Sequence, residues 1–167
     1  SESIDDLLVL QFGVRADQEG VLLRDFHTVQ GCITSARKAG ETAVTNRWYL
    51  ADAAFTVALE GPLALLEQIQ EALRHPVWTL SLGRKACTPT VPMAGGEIRE
   101  GGLKAVLTTV PLLMGKSGDR RMVLTDPEGP QSRPDVPVKS FATRKFRMRR
   151  VRTFTAPVAD TSAPFER

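Results

Sequence analysis

The chain has 167 residues, of which 42% are hydrophobic and 25% are charged, and its net charge is +3. These are ordinary globular values and exclude wholesale disorder, and the length suits one domain, or one domain with an appendage. No apolar run approaches the roughly 20 residues of a bilayer-spanning helix. Two cysteines are too few for a disulfide scaffold, and neither has the spacing of a metal site. We therefore expect a cytoplasmic, reduced protein.

Two strands and a loop are predicted at the start of the chain. Residues 7–15 (LLVLQFGVR) have apolar side chains at alternate positions, which predicts a strand. The turn-forming residues 17–20 (DQEG) follow, so residues 21–29 predict the return strand of a hairpin. Residues 30–46 are small, polar and cationic, and predict an excursion outside the core.

A third strand, a helix and a fourth strand follow. Residues 47–60 are apolar or small on both faces, which predicts a central strand. Residues 62–75 predict a helix, because a proline stands at the start, another follows the end, and the leucines recur at helical spacing. The apolar run 77–82 predicts a further strand that ends at Gly83.

The second half of the chain is predicted to be rich in strands and loops. Residues 94–167 consist of short apolar runs between connections that are rich in glycine and proline. Residues 120–152 contain ten Lys or Arg and three Asp or Glu, and such clustering is typical of an electrostatic binding surface. Residues 145–152 (KFRMRRVR) predict a strand with Phe146 and Met148 inward and the cations outward.

The order of these elements predicts an α+β fold. Strand, strand, helix and strand with antiparallel connections would place the helix on one face of a sheet. The order matches the last four elements of a ferredoxin-like β-α-β-β-α-β unit. The first strand of that unit is central, so we expect an unpaired seam in the sheet and a missing N-terminal segment.

The corner at residues 83–85 is one candidate site. Gly83 is followed by Arg84 and Lys85, which would offer backbone N–H groups and two cations to a phosphate at the end of a strand. The alternative is a solvated turn that happens to be basic. No Walker sequence accompanies the glycine, so a nucleotide-binding P-loop is not indicated.

The RDFHT motif at residues 24–28 is a second candidate. Arg24 and Phe26 would share one strand face, and cations interleaved with aromatic rings suit phosphates and stacked bases. Asp25 and His27 would point the other way. A histidine beside an aspartate can serve acid–base chemistry, but it is more often a structural pair, and no nucleophile or metal spacing accompanies it.

The segment 139–152 has the strongest charge, with seven cations and no acids. Five of the seven are arginines, whose planar guanidinium suits phosphate pairing. A nucleic acid or an acidic partner subunit is the favoured interpretation. The alternative is an edge strand that carries cations to prevent aggregation.

Three blocks of the sequence resemble the CasD family. They are LLRDFHTV at residues 22–29, the spread ET..T.R.YLADAAFTVAL at 41–59 and LSLGRKACTPTVPM at 80–93, and a weaker match returns at DVPVKSFATRKFRMRRV. Members of that family cap the 5′ end of the guide RNA in Cascade, the type I-E CRISPR surveillance complex. They belong to the repeat-associated (RAMP) superfamily, and the resemblance implies that the family's first strand and helix would precede the point where this sequence starts.

The resemblance implies an architecture, a function and partners. Residues 1–93 would form a partial ferredoxin-like (RRM-like) palm with a thumb hairpin at about 28–49, and residues 94–167 a small C-terminal β-rich region. The chain would grip the 5′ handle of the CRISPR RNA beside the CasC and CasA subunits and would meet target DNA only indirectly. Six matching residues would contact RNA: Arg24, His27, Arg47, Tyr49, Arg84 and Lys85.

We add seven residues to this set from their charge or aromatic character: Phe26, Arg37, Lys38, Arg144, Lys145, Arg147 and Arg149. No catalytic residue, metal or cofactor is expected, and no membrane partner. Two alternatives remain open. One is a metal-independent endoribonuclease that processes CRISPR repeat RNA, since His27, Tyr49 and Lys85 are residue types that such cleavage uses. The other is a purely structural subunit that docks acidic protein surfaces.

Overall fold

The computed structural model describes residues 4–33, 40–94, 96–137 and 145–158. These residues form a short 3-10 helix, seven strands and two α-helices. In chain order they are the 3-10 helix Ile4–Val9, β1 Gln11–Gln18, β2 Val21–Cys32, β3 Glu41–Ala51, β4 Ala54–Glu60, α1 Leu63–Arg74, α2 Leu103–Thr109, β5 Gly118–Thr125, β6 Gln131–Pro137 and β7 Phe146–Val158. The predicted α+β class is confirmed.

The strands form two separate sheets. A five-stranded antiparallel sheet has the order β4-β1-β5-β7-β6, and β2 and β3 form a two-stranded ribbon of their own. The predicted hairpin between the first two strands is therefore wrong, because β2 pairs with β3 over ten aligned positions while β1 pairs with β4 and β5. The first strand also begins later than predicted, at Gln11, since the preceding residues form the 3-10 helix.

The ribbon occupies much of the segment predicted as an irregular excursion. Strand β2 runs on to Cys32 and β3 begins at Glu41, so the paired backbone extends well into residues 30–46. The ladder hydrogen bonds satisfy backbone groups that an irregular loop would leave to water. The sequence did not predict these strands, because both faces of the ribbon are exposed. Neither face needs apolar side chains, so the apolar–polar alternation of a half-buried strand is absent.

Strand β4 lies at the edge of the sheet, where a central strand was predicted. It pairs with β1 alone among the described strands, and Phe55 and Val57 on one of its faces are partly exposed. Covered strands and exposed edge strands can carry the same run of apolar residues, so composition did not separate the two cases.

Helix α2, rather than α1, covers the sheet. Leu103 and Leu107 of α2 are buried, whereas α1 has the predicted bounds and apolar stripe but no buried residue. The close contact depends on Gly13, because a Cβ atom there would lie 2.9 Å from Leu107 Cδ1 and 2.8 Å from Leu124 Cδ2. Helix α1 was predicted to pack on the sheet, and that prediction is wrong for the described residues.

The core lies between α2 and the β1, β5 and β7 strands. Leu107, Met122, Ala156 and Val158 are buried together there, with Phe154 packed against them. Its apolar residues come from elements that are distant in the chain. The second half of the protein therefore supplies most of the core. It contains three of the described strands, β5, β6 and β7.

A buried ion pair fastens the chain after α2 to the sheet. Arg15 and Asp17 are fully buried on one face of β1, with Arg15 Nε 2.5 Å from Asp17 Oδ1. The guanidinium also donates to the backbone carbonyls of Leu107, Val110 and Pro111. The carboxylate accepts from the backbone N–H of Leu113 and from a threonine hydroxyl of β4. Every charge is thus paired and hydrogen-bonded, as burial requires.

Strand β7 contains the predicted basic strand, but its side chains face differently. Phe146 and Met148 are exposed, and Arg149 is the residue that turns toward the sheet. Strand β7 is also paired on both sides, with β5 and β6, so it is not an edge strand. The predicted orientation is wrong because Arg149 makes an ion pair and a ring contact that offset its burial.

None of the helices in the described part of the chain has both the length and the apolar character that crossing a lipid bilayer demands.

Candidate nucleic-acid interface

The register of the β2–β3 ribbon sorts its side chains onto two faces. Arg24 lies opposite Trp48 and Asp25 opposite Arg47, and opposed residues share a face. We call the two sets the even face and the odd face. The even face comprises Leu22, Arg24, Phe26, Thr28, Val44, Asn46, Trp48 and Leu50, and the odd face Leu23, Asp25, His27, Thr45, Arg47 and Tyr49.

The even face carries one cation between two aromatic rings. The guanidinium carbon of Arg24 lies 6.0 Å from the centroid of the Trp48 ring. Phe26 and Trp48 are 59% and 56% exposed, so their rings are open to a ligand. Arg24 and Phe26 therefore share a face as predicted. Trp48, which is not among the residues predicted to contact RNA, joins them.

The odd face carries the remaining predicted residues of the ribbon. His27 Nε2 lies 2.6 Å from Asp25 Oδ2, two positions away on the same strand. Arg47 stands opposite Asp25, and Tyr49 lies one rung further along. An imidazole, a guanidinium and a phenol ring thus follow one another along the ribbon, with one carboxylate among them.

Arg84 reaches the odd face from outside the ribbon. Its guanidinium carbon lies 5.6 Å from the centroid of the Tyr49 ring, within the range of a cation–π contact. The side chains of Arg84 and Lys85 are exposed. The structure therefore brings two of the predicted sites, the ribbon and the glycine corner, into one surface.

The glycine corner is a tight local turn. Gly83 has a φ of 84°, a conformation that favours glycine. The Leu82 N–H donates to the Cys87 carbonyl and the Cys87 N–H to the Arg84 carbonyl, both at 2.8 Å. The predicted strand at residues 77–82 is wrong, because this backbone joins neither sheet formed by the described strands. An apolar run forms a strand only with a ladder partner.

The arginines of β7 are largely engaged within the protein. Arg149 Nη2 lies 2.5 Å from Asp135 Oδ2, donates through Nη1 to Thr125 Oγ1 at 2.9 Å and stacks 5.4 Å from the Phe12 centroid. Arg150 Nε donates to the Gly129 carbonyl. The hydrogen bonds from Arg149 hold the pKa of the Asp135 carboxyl below its ordinary value.

Two further ion pairs join strands and turns of the sheet. Arg152 donates to Asp126, which lowers the pKa of that carboxyl, and Arg121 does the same to Glu19. These contacts reduce the free positive charge of the basic region. Lys145, just before β7, and Arg147 on β7 remain exposed, whereas the predicted Arg149 is half-buried.

A groove of about 270 Å³ lies on the sheet face away from α2. Its lining includes Phe12, Phe55, Arg121, Arg133 and Arg149. Sequence reasoning did not single out this groove, since its residues come from five strands whose pairing is not local. Two of its three arginines are paired with Glu19 and Asp135, so most of the positive charge on its walls is neutralised.

Three predicted contact residues, Arg37, Lys38 and Arg144, lie outside the described residues. Within the described ranges, no three or more histidine, cysteine, aspartate or glutamate side chains gather as a metal site would require. Trp48 is the residue that sequence reasoning missed on the ribbon. Its place directly opposite Arg24 follows only from the β2–β3 register, which no local pattern in the sequence specifies.

The sequence profile of the family described as "CRISPR-associated protein (Cas_Cas5)" matches residues 2–152. The chain belongs to this family. The match covers the ribbon, the glycine corner and most of β7, so the Cas5 assignment rests on the whole arrangement rather than on one motif. The resemblance to the CasD family seen in the sequence is confirmed at this level.

Individual relatives agree with the Cas5 assignment. The chain is 36% identical over 118 residues to the "CRISPR system Cascade subunit CasD" of Escherichia coli (strain K12), an alignment that covers 62% of this chain and 52% of that protein. The chain thus spans about half the length of this curated relative.

Two solved structures also resemble this Cas5 chain. A chain of a "CRISPR RNA-guided surveillance complex" superposes with a TM-score of 0.76 at 30% identity, over 94% of this chain and 71% of the other. A structure titled "Crystal structure of Cas protein" gives a TM-score of 0.73 at 33% identity, over 95% and 74% of the two chains.

Proposed function

We propose that the protein is a non-catalytic RNA-binding subunit of a CRISPR RNA-guided surveillance complex and that it grips the 5′ handle of the CRISPR RNA. The observation that carries this proposal is the meeting of Arg84 with Tyr49 on the odd face, beside Arg47. Membership of the Cas5 family and the likeness to a Cascade subunit support the same conclusion.

The chemistry of the ribbon suits a single-stranded ribose-phosphate chain. Arg84, Lys85 and Arg47 supply cations for phosphate oxygens, and Arg is well suited to pair with two of those oxygens at once. Phe26 and Tyr49 supply rings on which bases stack, with about 1–3 kcal/mol per base. Lys145, just before β7, and Arg147 of β7 add exposed charge, which strengthens the attraction without reading sequence.

In this proposal the two sheets have different tasks. The β2–β3 ribbon, Val21 to Ala51, serves as a thumb, and β1, β4 and α1 belong to a ferredoxin-like palm. Among the described strands, β4 has one edge without a partner, and in this proposal the central strand of the palm would pair there. The CasC backbone subunit and the large CasA subunit are the proposed neighbours, and target DNA is met only through the assembled complex.

The spacing of the odd face argues against RNA cleavage. His27 lies opposite Thr45 and Tyr49 opposite Leu23, so the two candidate groups are four residues apart along the ribbon. At about 3.3 Å per residue, this separates them by roughly 13 Å, too far for both to act on one scissile phosphate. Asp25 Oδ2 lies 2.6 Å from His27 Nε2 and so occupies one of the two ring nitrogens of the imidazole.

The test is ultraviolet crosslinking of the purified assembly, mapped to both residues and nucleotides. We expect crosslinks from the ribbon and from residues 83–85 to the 5′ handle. Crosslinks that reach protein neighbours but no RNA would overturn the proposal in favour of a purely structural subunit. A discrete product from repeat RNA in EDTA that a His27→Ala variant fails to make would overturn the non-catalytic assignment.

A further inference from the structure

The even face of the ribbon holds two exposed aromatic rings, and the proposed function uses Phe26 but gives no role to Trp48. Phe26 and Trp48 lie on neighbouring rungs, because Phe26 opposes Asn46 and Trp48 opposes Arg24. They are therefore diagonal neighbours on one face of an antiparallel pair. Both remain more than half exposed, so no described element of the protein covers them.

The diagonal spacing fits one planar ring between two others. Diagonal neighbours in an antiparallel pair are separated by about 7–8 Å, and strand side chains stand roughly perpendicular to the sheet. Stacked bases repeat at about 3.4 Å, so a base between two rings needs about twice that distance. The Phe26–Trp48 pair thus leaves space for one base and no more.

The charge beside this gap suits the backbone of a single strand. Arg24 lies 6.0 Å from the Trp48 centroid, at the outer limit of a cation–π contact, so its guanidinium is held only loosely. It can therefore turn to a phosphate that adjoins the inserted base. The eight residues of the even face include no acidic side chain that would repel this phosphate.

We propose that Phe26 and Trp48 form a clamp that takes one unpaired RNA base between their rings, with Arg24 on the neighbouring phosphate. This inference rests on the proposed function and deepens it, since it specifies how one base would stack on the even face of the ribbon. A protein partner on the same face is the competing possibility, because the aliphatic Leu22, Val44 and Leu50 flank the clamp.

The test uses the two tryptophans of the chain. Trp78 lies outside the ribbon and is 82% exposed. In a Trp78→Phe background, Trp48 is the remaining tryptophan, and its fluorescence reports a stacked base directly. The probes are a 10-nucleotide oligo(A) RNA and an abasic ribose-phosphate chain of the same length. We expect oligo(A) to quench Trp48 and the abasic chain to leave its fluorescence unchanged.

The binding constants give a second readout. Trp48→Ala and Phe26→Ala should each weaken oligo(A) binding about 5- to 150-fold and leave abasic binding unchanged, as the loss of one stacked base requires. Trp48→Phe should retain most of the affinity, which separates stacking from misfolding. Trp78→Ala is the matched control and should bind as the unsubstituted protein does.

The outcomes separate the clamp from the wider proposal. Tight, salt-sensitive RNA binding that Trp48→Ala does not change would reject the clamp and leave the RNA-binding function standing. Loss of partner subunits on Trp48→Ala, with RNA binding intact, would assign the even face to a protein. Failure of both probes to bind at low salt would reject the function and the clamp together.

Discussion

The guanidinium of Arg84 lies over the ring of Tyr49, 5.6 Å from its centroid, and so joins the glycine corner to the β2–β3 ribbon. The two residues belong to segments with no shared secondary structure. Their contact places the cations of the corner beside Arg47. One surface thus combines charge for phosphates with a ring for a base, which is the combination that single-stranded RNA requires.

The first prediction concerns the charge of the corner. Replacing Arg84 and Lys85 together by alanine should weaken guide-RNA retention and lower the slope of log affinity against log salt by about 1.4, which is roughly 0.7 for each of two lost phosphate contacts. The measurement is filter binding across a salt series. Arg74→Ala, a cation in the last turn of α1, is the matched control. An unchanged slope would refute the assignment of the corner.

The second prediction concerns the ring of Tyr49. Tyr49→Ala should remove both the stacking surface and the support for Arg84, and weaken RNA binding by more than Tyr49→Phe, which keeps the ring. A cation–π contact at an exposed site is worth about 0.5–1 kcal/mol, so the loss from that contact alone is a few-fold. Equal losses in the two variants would show that the hydroxyl, rather than the ring, makes the contact.

The third prediction concerns the buried ion pair of β1. Arg15→Ala leaves the Asp17 carboxylate buried without its cation, which should lower the free energy of unfolding by about 3–5 kcal/mol. The melting temperature should fall by roughly 6–20 °C in a domain of this size. Arg121→Ala breaks an exposed pair with Glu19 and should change stability by less than about 1 kcal/mol. Similar melting temperatures for both variants would contradict the role of Arg15.

The fourth prediction concerns acid sensitivity. Arg149 holds the pKa of Asp135 below its unfolded value of about 4, so the pair stabilises the fold above that pH. This contribution is lost as the pH falls through the folded pKa. The stability difference between the unsubstituted protein and Asp135→Asn should therefore be present at pH 6 and shrink at pH 3, as measured by urea unfolding.

The control for this experiment is Glu67→Gln, which changes an exposed carboxylate of α1. Its effect on stability should be small at both values of pH. A difference between Asp135→Asn and the unsubstituted protein that grew on acidification would show that the Arg149 ion pair does not set the pH dependence.

The sequence determined the features that depend on neighbouring residues. The helix α1 ends where its prolines and leucine spacing predict, the basic run at β7 forms a strand, and the turn at Gly83 adopts the conformation that glycine permits. The blocks that resemble the CasD family also identified the family before any contact was known, because they are contiguous stretches of chain.

Only the tertiary structure decided which strands pair and which cations stay free. The alternation of apolar and polar residues predicts that a segment is a strand, but not which strands it pairs with. Strand β1 pairs with β4 and β5 because that arrangement buries the apolar surface of the whole sheet. The same holds for Arg149, which turns inward because Asp135 and Phe12 arrive from other strands to receive it. The free energy of strand pairing comes from many contacts between residues that are distant in the sequence. A pattern within one segment therefore cannot predict which strands pair.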